Sequence, residues 1–68
     1  MKIDVRSPEG NTLVALGYAT RLLKKVGRNE DADKLVKAVF ASGSAREARD
    51  HITTATNGSI EFVGGEDE

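Results

Sequence analysis

An α+β mini-domain of order β-α-α-α-β, two terminal strands packed on a three-helix layer, is the fold class this sequence predicts. Three observations carry it. Apolar and polar residues alternate at both ends of the chain, around Ile3 and Val5 and again around Ile60 and Phe62, which is the period of a half-buried strand. Between these ends, three segments repeat apolar residues at helical spacing, and Gly27, Gly43 and Asn57-Gly58 separate them as helix stops and turns. The 68 residues leave room for one domain only.

Residues 1–6 predict the first strand. Ser7-Pro8-Glu9 then predicts a helix start. Ser7 can cap, Pro8 suits a first position whose N–H would go unpaired anyway, and Glu9 complements the positive end of the helix dipole. The first helix is expected from Pro8 to Val26, with Gly27 as a left-handed stop and Ala15, Leu16, Ala19, Leu22, Leu23 and Val26 on its core arc. Asn29 is expected to cap the second helix, with Glu30, Asp31 and Asp33 in the first turn. Its buried face should hold Ala32, Leu35, Val36, Val39 and Phe40, and Gly43 should end it. Ser44-Ala45-Arg46-Glu47 has the spacing of a capping box, so the third helix starts at Ala45 on a thin stripe of Ala45, Ala48, Ile52 and Ala55. Asn57-Gly58 turns the chain into a strand over 59–63, with Ile60 and Phe62 inward. Residues 1–63 thus read as a single α+β domain and 64–68 as a flexible acidic tail.

Composition narrows the function classes. There is no cysteine and one histidine, His51. Disulfides and thiolate metal sites are excluded, and neither a metal nor a cofactor is expected. A core this small contributes only about 3–5 kcal/mol of net stability, and with disulfides and metals gone self-association remains, so a homo-oligomer is expected. No apolar run approaches a membrane span. Lys2, Asp4, Arg6 and Glu9 do not fit the apolar region of a signal peptide. A cytoplasmic location is expected. Net charge is −1, but Glu66, Asp67 and Glu68 close the chain, and the other ten bases and eight acids leave +2. Four bases and no acid lie between Arg21 and Arg28. That balance is too weak for general nucleic-acid binding and sufficient for one local anion site.

The first helix is where a site is expected. Val14, Tyr18, Arg21 and Lys25 recur at i, i+4, i+7 and i+11, forming a second stripe away from the core arc. Gly17 lies beside it, at a helix cost of up to about 1 kcal/mol against alanine. On one reading this is a pocket or interface wall, with Tyr18 stacking on a planar group and Arg21 and Lys25 meeting phosphates. On the other, Tyr18 packs on its own protein and the bases solvate the helix end while offsetting its dipole. The turn Arg6-Ser7-Pro8-Glu9-Gly10-Asn11 likewise reads either as a phosphate-binding helix start or as ordinary capping. It is not a P-loop, because no GKS or GKT follows a GxxxxG run. His51 lies near Arg46, Arg49, Asp50 and Thr53 without an identifiable nucleophile or orienting partner, so no enzymatic activity is expected.

The opening strand, the run Ser7-Pro8-Glu9-Gly10-Asn11, a long helix and a short C-terminal strand together resemble small phage and prophage proteins. The shared motif is five residues long and the β-helix-β layout covers most of the chain. Several small phage proteins are homo-oligomers that sequester nucleotide signals of bacterial immunity, such as cyclic dinucleotides or cyclic ADP-ribose variants. The resemblance implies a counter-defence role in the host cytosol and carries no functional residue across. The residues themselves point to non-catalytic capture of an anionic, nucleotide-like small molecule. Arg6, Arg21, Lys25 and Arg28 would supply charge, Tyr18 stacking, and Gly10 and Asn11 backbone or amide contacts. The alternative is a protein-interaction module that covers a host protein through the Val14–Tyr18 stripe.

Overall fold

The computed structural model describes residues 1–64, the side chain of Glu9 excepted. It is the expected α+β mini-domain: β1 (Lys2–Asp4), a 3-10 turn (Pro8–Gly10), α1 (Thr12–Lys25), α2 (Asn29–Ala41), α3 (Ala45–Ala55) and β2 (Glu61–Val63). The strands pair in parallel, with Lys2 opposite Glu61, Ile3 opposite Phe62 and Asp4 opposite Val63. A parallel pair needs a long crossover, and the three helices are that crossover. Ile3 is buried and Phe62 half-buried against the helices, whereas Lys2, Asp4, Glu61 and Val63 are exposed. The acidic tail expected over 64–68 falls, beyond Gly64, outside the described residues.

The core follows the helical periodicities. Ala15, Leu16, Ala19 and Leu23 of α1 meet Ala32, Leu35 and Val39 of α2 and Ala48 and Ile52 of α3, with Ile3 and Ile60 closing the sheet side. The thin stripe of α3 is sufficient because alanines let its backbone come close to the other helices. Its start is stapled as the spacing predicts: Ser44 Oγ accepts the Glu47 N–H at 3.1 Å. The Glu47 carboxylate accepts the N–H of Gly43 at 3.0 Å, one residue ahead of the cap itself. At the other end Thr56 is buried, donating to the Ile52 carbonyl at 2.9 Å and accepting the Ile60 N–H at 3.2 Å. That hydroxyl fixes where the chain leaves α3 and so where Ile60 enters the core. Asn57 and Gly58 take the left-handed conformation the turn requires, at φ 54° and 81°.

Four expectations are corrected. Ser7 does not cap a helix. Its hydroxyl donates to the Asp4 carbonyl at 2.7 Å, and Pro8–Gly10 forms a separate 3-10 turn. Gly10 explains that break. A Cβ there would lie 2.5 Å from the Asp4 carbonyl oxygen and 2.6 Å from Val5 Cα, so the turn packs on the strand's backbone before the helix can start. Asn11 caps α1 instead, its Oδ1 accepting the Leu13 N–H at 2.9 Å. Asn29 is the first residue of α2 rather than its cap; Arg28 holds the cap position without a side-chain bond. Helix α2 stops at Ala41, before Gly43, because Ser42 turns extended and its hydroxyl donates to the Ala38 carbonyl at 2.8 Å. Finally, Phe40 and Val26 are not core: they are 71% and 60% exposed. Both sit at or beyond the last turn of their helix, where nothing packs opposite the extrapolated apolar face.

Candidate binding groove on the first helix

The stripe at Val14, Tyr18, Arg21 and Lys25 faces outward between α1 and the start of the sheet. Tyr18 is 39% exposed and Val14 43%. Tyr18, Arg21 and Lys25 line one open groove of about 400 Å³, whose apolar floor is Leu22 and the buried Ile60. Met1 and Ser59 complete its wall. The chain ends hold that wall together: the Met1 amino group donates to the Ser59 carbonyl, and the Glu61 N–H donates to the Met1 carbonyl at 2.8 Å.

No carboxylate among the described residues lines this groove. Among the described residues, neither Arg21 nor Lys25 has an acid within ion-pair distance, in contrast to Arg6, which pairs with Asp4, and Arg28, which pairs with Asp31. Two cations on one helix face, one turn apart and beside an aromatic ring, attract an anion and offer a planar group a surface to stack on. Lys25, in the last turn of α1, also faces the negative end of the helix dipole.

The other expected site residues are elsewhere. Arg28 pairs with Asp31 at 2.7 Å and does not line the groove. Arg6 is exposed, with its Nε 3.6 Å from Asp4. Asn11 is committed to capping Leu13, and Gly10 is buried under β1. Among the described residues, nothing beyond the helix's own adjoining backbone lies within 4 Å of where a Cβ on Gly17 would stand. The first helix thus brings three of the seven candidates together. Ser59, Ile60 and Met1 joined them from the far ends of the sequence, where no local pattern marks them. Leu22, four residues after Tyr18, was visible only as a core position.

Comparison with family models, with curated proteins and with solved structures finds no match to this chain.

Two further features bear on chemistry. On the opposite flank of the sheet, Arg46 and Arg49 of α3 line a depression of about 430 Å³ that also contains Asp50 and Glu61. His51 is half-buried and makes no side-chain hydrogen bond or ion pair among the described residues. Its depression between α2 and α3 is a separate one, shared with Arg28, Asp31 and Lys34. No group of three or more histidine, aspartate or glutamate side chains among the described residues could hold a metal ion, and no helix there is long and apolar enough to cross a membrane.

Proposed function

We propose that this chain is a non-catalytic binding protein that sequesters an anionic, nucleotide-like small molecule in the α1 groove. The observation that supports this reading is the groove's composition: Tyr18, Arg21 and Lys25 converge over an apolar floor, and no acid among the described residues lines it. Arg21 and Lys25 hold the phosphate, and Tyr18 stacks on the planar base. Phage counter-defence by capture of an immune signalling nucleotide is the setting that the resemblance of the SPEGN region adds. Calorimetry against cyclic dinucleotides and ADP-ribose derivatives tests it. Replacing Arg21 and Lys25 together with alanine removes two charge-assisted contacts of about 1.5–3 kcal/mol each and lowers affinity at least about a hundredfold, while the exposed positions leave stability within about ±0.5 kcal/mol. Absence of binding by the unmodified protein refutes the reading.

Self-association belongs to the same proposal. A two-stranded sheet is marginal by itself, and Leu13, Val26 and Phe40 are each at least 60% exposed. Light scattering at micromolar concentration is expected to give at least a dimer, and a 7 kDa monomer refutes it.

One observation favours a second reading. Leu13 and Val14 leave apolar surface beside Tyr18, and an interaction module covering a host protein would use that surface. Heat released with a protein partner and none with any nucleotide would select this reading.

A further inference from the structure

The α1 groove does not end at Tyr18. A second depression of about 290 Å³ shares Met1 and Tyr18 with it and is lined beyond them by Lys2, Ile3, Asp4 and Ser7. The tyrosine therefore stands between two lobes of different chemistry. On the Arg21 side there are cations and, among the described residues, no carboxylate. On the β1 side Lys2 stands with a carboxylate, that of Asp4. Asp4 Oδ1 accepts the Arg6 N–H at 2.8 Å and lies 3.6 Å from Arg6 Nε, whereas Oδ2 accepts nothing among the described residues. The Ser7 hydroxyl has already given its proton to the Asp4 carbonyl, so towards a ligand it can only accept.

We infer that the site is bipartite and selects an amino-bearing purine nucleotide, adenine-like, with its phosphate on Arg21 and Lys25, its ring on Tyr18, and its exocyclic amine donating to Asp4. This rests on the reading of the α1 groove as a phosphate site and adds the identity of the base. Lys2 in the β1 lobe is accompanied by the Asp4 carboxylate, whereas Arg21 and Lys25 have no acid among the described residues of their lobe, so the phosphate is better placed on the Arg21 side. An ionised acceptor and a hydroxyl that can only accept favour a donor-bearing edge. When the amine is replaced by a carbonyl at the same position an acceptor stands opposite an acceptor and the hydrogen bond is lost.

The test compares AMP, IMP and inorganic pyrophosphate by calorimetry on the full chain. IMP carries a carbonyl where AMP carries the amine. The unmodified protein is expected to bind AMP roughly tenfold more tightly than IMP. Asp4→Asn keeps an acceptor for the Arg6 N–H and replaces the second oxygen with an amide that suits either base, so the preference falls to within about twofold. Pyrophosphate is expected to bind the unmodified protein and Asp4→Asn equally, and to be lost with Arg21→Ala/Lys25→Ala. Equal affinity for AMP and IMP in the unmodified protein, or a preference that survives Asp4→Asn, overturns the bipartite inference while pyrophosphate binding leaves the phosphate site standing. Failure of all three ligands to bind overturns both. The AMP-to-IMP ratio of the unmodified protein needs no variant, so a folding defect in Asp4→Asn does not rescue the idea.

Discussion

The two flanks of the small sheet carry similar numbers of cations and opposite surroundings. On the α1 flank, Arg21 and Lys25 stand over Leu22 and Ile60 with no acid among the described residues of the groove wall. On the α3 flank, Arg46 and Arg49 share their depression with Asp50 and Glu61. Cations matched by neighbouring acids satisfy one another and leave little net field for a ligand. Unmatched cations over an apolar floor keep their attraction, in surroundings less polarisable than water. Counting arginines and lysines does not separate the flanks; the acids beside them do.

Both flanks stand on one core, so the largest effect expected anywhere in the molecule erases the comparison altogether. Leu23 is 1% exposed beneath α1, and Leu23→Ala is expected to destabilise by about 2–5 kcal/mol, enough in a domain this small to threaten folding. Phe40→Ala, at the exposed end of α2, is expected to change stability by no more than about 0.5 kcal/mol. Thermal melts of both variants check this. A large loss at Phe40 would point to a second copy covering it, since among the described residues it is 71% exposed.

That contrast also shows what the sequence made legible. Local rules were reliable where a short stretch contains its own solution: the Ser44–Glu47 staple, the left-handed Asn57-Gly58 turn and the alternation that set Ile3 and Ile60 inward. They failed where a residue's surroundings come from elsewhere. Phe40 continues the periodicity of α2 faultlessly, but periodicity describes a direction and burial needs something lying in that direction. Ser7 has the right spacing for a cap, and the carbonyl of Asp4 takes its hydroxyl. The groove was half legible for the same reason. Tyr18, Arg21 and Lys25 share one helix face, while the β1 and Ser59 side of it depends on parallel pairing between the two chain ends, which no local spacing encodes.

The next largest effect asks whether the flanks differ in function as they do in charge. Arg21→Ala/Lys25→Ala and Arg46→Ala/Arg49→Ala remove the same formal charge from opposite sides. The first is expected to weaken anionic nucleotide binding at least about a hundredfold. The second, acting only through a field screened over about 8 Å at physiological ionic strength, is expected to change it less than about threefold. Tyr18→Ala falls between them, with a loss of about 1–3 kcal/mol of stacking. Calorimetry on the three variants decides the order. A reversed order of the two double variants would move the site to α3.

The smallest effect concerns Gly17, which is exposed on α1 four residues before Arg21 and has open space where a Cβ would be. For the chain taken alone, Gly17→Ala should be favourable: it removes a helix-interior glycine worth about 0.5–1 kcal/mol and meets no neighbour. At this chain length that corresponds to a rise in Tm of about 2–8 °C. Two partners would change that outcome, each in its own way. If a second copy brings its backbone against Gly17, the added methyl lowers the oligomer's stability, and the melting temperature falls while light scattering reports a smaller particle. If instead a ligand reaches that far along the stripe, stability rises as expected but nucleotide affinity falls. A gain in Tm with unchanged mass and unchanged affinity would confine the functional surface to the groove between Tyr18, Lys25 and β1, and would leave the glycine as a helix position the sequence has not optimised. The three outcomes are distinct, so one methyl group locates the edge of the α1 surface.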